Sequence, residues 1–90
     1  MQDLKSKTLI NFRKAQSSLA KIATMTEDGE YCIKIMQQNL AVIGLLRSAH
    51  EMLMENHLNT CFKEAMNSAS PKKKAEMTAE ILKVTNLFNK

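Results

Sequence analysis

The residues of this chain with the most to offer chemically are its two cysteines and one of its two histidines. His57 and Cys61 lie four apart in the stretch His57-Leu58-Asn59-Thr60-Cys61. On a helix that spacing puts them one turn apart on one face. A neutral imidazole and a thiolate so placed can share one small metal ion. Cys32, the other cysteine, precedes His57 by 25 residues, with no proline and one glycine, Gly44, between them. If one helix spans that stretch, its ends stand ~37 Å apart at ~1.5 Å per residue. One chain then cannot close a site. Two chains packed antiparallel can: Cys32 of one would meet His57 and Cys61 of the other. The centre of the pair falls near Gly44 and Leu45, where the small Ala41 and Gly44 let two helices cross closely. The implied assembly is a dimer with symmetric sites at its ends. Taken singly, each residue has a plainer reading. A cysteine in a helical pattern is commonly a small buried hydrophobe, and a lone histidine a satisfied surface residue. The combination is what points to a site.

Two thiolates and an imidazole form a soft, low-coordinate donor set. Cu(I) accepts three such ligands, whereas structural Zn(II) normally takes a fourth, and nickel and cobalt prefer more nitrogen and oxygen. A fourth donor would have to be His50 or water. His50 is seven residues before His57, ~10 Å away along a helix, too far to join a mononuclear site in the same chain. Met54 lies one turn before His57 and has a soft thioether, but packing is the simpler role for it.

Tyr31-Cys32-Ile33, Glu55-Asn56-His57-Leu58 and the Cys61 that follows resemble the copper-sensing repressors of bacteria, a group that includes the nickel/cobalt and formaldehyde sensors. The resemblance covers nearly the whole chain. It implies three helices per chain, a dimer of dimers, and operator DNA that is bound without effector and released with it. It also implies a hydrogen bond from Tyr31 behind the ligands, and a supporting glutamate in the third helix, Glu76 or Glu80. The nickel sensors of the group use an N-terminal histidine, which this chain lacks. The formaldehyde sensors carry proline after the first methionine, where Gln2 stands here, and the persulfide sensors keep both cysteines without the histidine. Helix 1 of the group carries an arginine-rich stretch with a glycine-glutamine pair; this chain has Lys14-Ala15-Gln16-Ser17-Ser18 instead. Arg47 is the nearest counterpart of another DNA-contacting arginine, one position away from a simple alignment.

Three helices must position these residues. Phe12, Ala15, Leu19 and Ile22 recur at helical spacing and predict a helix from residue 3 to about 27. Lys7, Lys14 and Lys21 recur every seven residues on another face, with Lys5 and Arg13 adding charge. That stripe is either a solvated surface or a phosphate-contacting one. Gly29 ends this helix, or Asp28 caps the next, which leaves Cys32 in the first turn or two of helix 2. Helix 2 is predicted from about 30 to 67. One side carries Ile33, Met36, Leu40, Ile43, Met54, Leu58, Phe62 and Ala65, while Ala41, Leu45, Leu46 and Met52 lie elsewhere around the axis. A helix apolar on more than one side is covered by several neighbours. Ser70 and Pro71 read as the cap and first residue of a third helix ending near 88, striped by Met77, Ile81, Val84 and Phe88. Lys72, Lys73 and Lys74 crowd its first turn, against the helix dipole. They are a solvated charge run or a seat for an anionic partner.

Ninety residues make one domain, here 1–90, with a core small enough to favour oligomerisation. Seven methionines, two glycines and no tryptophan fit an all-α class. The net charge of +4 and pI near 9.2 are compatible with a polyanionic partner. The apolar run Leu40 to Leu46 is too short to span a bilayer. With no signal-peptide core at Met1 to Lys5, the cysteines read as reduced cytoplasmic thiols. No glycine-rich phosphate loop or paired nucleophile points to an enzyme. A standard helix-turn-helix pattern is missing too, so DNA contact would use assembled helix faces.

The leading expectation is a Cu(I)-responsive repressor. Cys32, His57 and Cys61 hold the metal, Lys7, Arg13, Lys14, Lys21 and Arg47 contact double-stranded operator DNA, and the chain forms a homodimer or homotetramer. The alternatives are a helical interaction or metal-buffering protein without an operator, and a sulfur- or redox-sensing regulator using Cys32 and Cys61.

Overall fold

The computed structural model describes residues 4–90. Asp3, where the pattern starts the first helix, and Gln2 lie outside them. The described residues form α1 (Leu4–Glu27), α2 (Cys32–His57), a π-helical turn (Leu58–Phe62), α3 (Lys63–Met66) and α4 (Pro71–Phe88), with no strand. The predicted second helix corresponds to α2, the π turn and α3 taken together. It begins two residues later than expected and ends one residue earlier. The chain divides into two compact units, one running through Asn56 and one of His57–Lys90.

In the first unit α1 and α2 form an antiparallel hairpin. The turn between them is set by Gly29, whose φ of +68° is the only positive value among the described residues. The Gly29 amide donates to the Thr26 carbonyl at 3.2 Å and the Glu30 amide to the Met25 carbonyl at 3.0 Å. This pair of bonds closes a helix around a left-handed residue, a conformation that glycine adopts without a Cβ clash. Of the two readings of the break, the one that ends α1 at Gly29 holds. The next helix starts from Tyr31, whose carbonyl accepts from the Lys34 amide at 3.0 Å and the Ile35 amide at 3.3 Å.

The seam of the hairpin is made of small residues. Thr8, Ala15, Val42 and Ala49 are buried, at seven-residue intervals on each helix. The Thr8 hydroxyl is satisfied within α1, donating to the Leu4 carbonyl at 2.6 Å. The large apolar residues of the predicted stripes are not the interior of this unit: Leu19, Ile33, Met36, Leu40 and Ile43 are all exposed. Two helices bury one narrow seam, and close approach of their backbones selects Ala, Thr and Val for it. The bulkier residues are left at the flanks and on the outer faces.

In the second unit α3 packs with α4, and Ala65 is its buried residue. Ser70 caps α4 as expected, its hydroxyl accepting from the Lys73 amide at 3.2 Å, and Pro71 fills the first helical position, where a missing N–H costs nothing. Ser68 braces the loop from the other side, donating to the Ala65 carbonyl at 2.7 Å. Met77 and Ile81 are half-buried, whereas Val84 and Phe88 are exposed.

Candidate functional site

Cys32 is the first residue of α2 and an exposed free thiol. The capping turn that begins at Gly29 therefore delivers it directly to a helix start. Tyr31 beside it is 65% exposed, so its ring is not used to pack this unit. A nearby ion pair, Glu30 to Lys34 at 3.7 Å, is a surface pair of little energetic weight.

His57 is half-buried and is the last residue of α2, immediately before the π-helical turn. Cys61 lies within that turn and is also an exposed free thiol. The Thr60 hydroxyl donates to the Cys61 sulfur at 3.8 Å. The sequence spacing assumed plain α winding between His57 and Cys61. The structure instead winds Leu58–Phe62 with i→i+5 bonding, a variation that occurs in single turns and often at functional positions. Nothing in the residue types of Leu58-Asn59-Thr60-Cys61-Phe62 signals it, since no glycine or proline marks the stretch.

Among the described residues no group of three His, Cys, Asp or Glu side chains converges as a metal ligand set. Glu76 and Glu80 stand one turn apart on α4 and are exposed. Two thiols and one imidazole are a donor set suited by softness to Cu(I), so the residue types fit the metal that the sequence suggested. His50 is half-buried and engaged in an interaction of its own.

The basic residues named from sequence fall on the first unit. Lys7, Arg13, Lys14, Lys21 and Arg47 are all exposed. Arg13 and Lys14 line an open groove with Ile10, Ser17, Ser18 and Leu45. Ser17 and Ser18 enter the sequence reading only as part of the stretch that stands in place of the family's glycine-glutamine pair, with no role of their own. They add hydroxyls beside two cationic side chains, a combination that suits phosphate oxygens. Among the described residues no helix is long and apolar enough to cross a membrane.

Comparison with known proteins places this geometry in context. The family model described as metal-sensitive transcriptional repressor matches residues 5–86. The copper-sensing transcriptional repressor CsoR of Mycobacterium ulcerans is 35% identical over 66 residues, which is 73% of this chain and 56% of that protein. CsoR of Mycobacterium tuberculosis strain H37Rv is 34% identical over 62 residues, 69% of this chain and 52% of the relative. RicR of the same strain, also a copper-sensing transcriptional repressor, is 33% identical over 75 residues, covering 80% of this chain and 78% of RicR. The chain thus spans about half the length of the CsoR relatives that it matches. These relatives are repressors of transcription rather than enzymes. With the match running over residues 5–86, the chain belongs to the metal-sensitive transcriptional repressor family.

Proposed function

We propose that this chain is a Cu(I)-responsive transcriptional repressor that holds operator DNA when metal-free and releases it when Cu(I) binds. The observation that carries the reading is the donor set itself: the free thiols of Cys32 and Cys61 and the imidazole of His57. Its setting is a family of metal-sensitive repressors that includes copper-sensing members. Bound Cu(I) would supply a soft centre that gathers two thiolates and an imidazole.

Cys32 opens a 26-residue helix that His57 closes, so the set is completed by a second, antiparallel chain. The middle of α2 suits such a neighbour. Leu40, Ile43 and Leu46 are exposed there, and a Cβ added at Gly44 would meet nothing within 4 Å in this chain. Residues 1–90 act as one functional domain within a homodimer or homotetramer. Tyr31, with Glu76 or Glu80, supports the ligands by hydrogen bonding. Lys7, Arg13, Lys14, Lys21 and Arg47 contact the phosphates of the duplex. Ligation favours a packing of the helices with lower DNA affinity, a shift that requires the metal to bind the two forms differently. The protein works in the cytoplasm, where thiols stay reduced.

The test is titration of Cu(I) into the protein bound to a DNA fragment from upstream of its own gene. Release of the fragment at about one Cu(I) per chain is expected, and undiminished DNA binding at saturation overturns the reading. The exposure of both free thiols favours a second reading, a sulfur- or redox-sensing regulator. In that case oxidant or persulfide, and not Cu(I), would release the DNA.

A further inference from the structure

The positive charge of this chain is unevenly placed. Residues 57–90 carry six lysines against the carboxylates of Glu64, Glu76 and Glu80, a net +3 of the chain's +4. Residues 1–56, which hold every basic residue assigned to DNA above, have seven cationic side chains against six carboxylates, a net +1. Half of the lysines in the second unit stand together as Lys72, Lys73 and Lys74 in the first turn of α4.

All three are exposed, and among the described residues none of them carries an ion pair. Glu76 is one turn beyond Lys72 and exposed, yet the two do not pair. The cluster also sits at the positive end of the α4 dipole, where cations are unfavourable. Three adjacent unneutralised ammonium groups at that end lower the stability of the helix. They also form the longest run of adjacent cationic residues in the sequence, a charge match for the close-spaced phosphates of a duplex.

We infer that Lys72, Lys73 and Lys74 form a second contact surface for the phosphate backbone of duplex DNA, carried by the second unit and indifferent to base sequence. The inference rests on the DNA-binding function proposed above. Lysine is a compact point charge that neutralises phosphate without base readout. The patch therefore adds affinity and salt dependence to operator and non-operator duplexes alike. Each phosphate contact contributes about 0.9 to the slope of log affinity against log salt.

The experiment compares the full chain with Lys72→Gln/Lys73→Gln/Lys74→Gln, using a duplex from upstream of the gene and a scrambled duplex between 50 and 200 mM salt. The salt slope of the variant should be shallower by up to about 2.7, so that the wild type loses up to about 40-fold more affinity across that range. The ratio of operator to scrambled affinity and the Cu(I) stoichiometry should be unchanged. A Lys72→Arg/Lys73→Arg/Lys74→Arg variant should restore the slope, and matching helical circular dichroism excludes loss of fold. If the wild type binds DNA and the glutamine variant keeps its slope, the patch is not a DNA surface. Loss of retention on anionic phospholipid vesicles with an unchanged DNA slope overturns it in the same way, in favour of a membrane surface. If the wild type binds neither duplex, the DNA-binding function itself fails, and with it this inference.

Discussion

The side-chain amide of Asn11 on α1 donates to the backbone carbonyl of Leu45 on α2 at 3.4 Å. This bond between the two helices marks their register. Counting from it in opposite directions brings Thr8 within one residue of Ala49 and Ala15 within one residue of Val42, the four buried residues of the seam. Asn11→Leu should therefore lower stability by about 1 kcal/mol, the usual worth of one such bond. Ala49→Leu, which forces bulk into a fully buried position, should cost about 1–3 kcal/mol. Guanidinium midpoints at fixed protein concentration measure both. An Ala49→Leu protein as stable as the wild type would show that the seam is looser than described.

The α1 groove predicts where DNA affinity resides in the first unit. Arg13→Glu/Lys14→Glu/Lys21→Glu reverses three exposed charges, two of which line one groove with Ser17 and Ser18. Fluorescence anisotropy with an operator duplex should show binding abolished, while Cu(I) affinity stays within a few-fold of wild type. Unaltered anisotropy would remove α1 from the DNA surface.

Gly44 offers a test of assembly. Within one chain a Cβ added there meets nothing within 4 Å, and replacing a helical glycine should gain up to about 1 kcal/mol in helix propensity. Across a close antiparallel crossing the same change is a clash. Gly44→Leu should therefore move the sedimentation profile at micromolar concentration from dimer or tetramer towards monomer without loss of helix. A wild-type chain that sediments as a stable folded monomer would remove the shared-site model altogether.

The ligand set can be tested by mixing chains. Cys32→Ala protein and His57→Ala/Cys61→Ala protein should each lose tight Cu(I) binding. Their antiparallel heterodimer retains one whole site, with His57 and Cys61 from the first chain and Cys32 from the second. After subunit exchange, the mixture should regain tight binding at about one Cu(I) per heterodimer, measured by competition with a Cu(I) chelator. Demonstrated exchange without any recovery would falsify a site shared between chains. His57→Ala alone should still bind through two thiolates yet release DNA poorly, because the third ligand fixes the geometry.

The helices were legible in the sequence because their boundaries are written in local chemistry. Gly29 can take a left-handed turn, and Ser70-Pro71 can start a helix, whatever surrounds them. The interior was less legible. The spacing of Phe12, Ala15, Leu19, Leu40 and Ile43 marks apolar faces but does not say which residue of a face meets the neighbour: of these the hairpin buries Ala15, and Val42 and Ala49, outside the predicted stripes, complete the seam. The donor chemistry of Cys32, His57 and Cys61 is plain from the residue types and their spacing. The π-helical winding that carries Cys61 is not, since it is a choice of backbone hydrogen bonding that no residue type dictates. The groove hydroxyls of Ser17 and Ser18 were hidden for a similar reason. Serine is common on exposed helix faces, and only its place beside Arg13 and Lys14 gives it meaning.

The π-helical turn over Leu58–Phe62 bears on anyone who would borrow this motif. His-x3-Cys grafted onto a straight α-helix would reproduce the letters but not the presentation. With i→i+5 bonding, each turn holds more residues than an α-helix does. The sulfur is therefore offered at another angle and another height relative to the imidazole. A designed protein would have to import the backbone of all five residues along with the two side chains. A search for similar arrangements that fixes ideal helical geometry would pass over this His57–Cys61 pair.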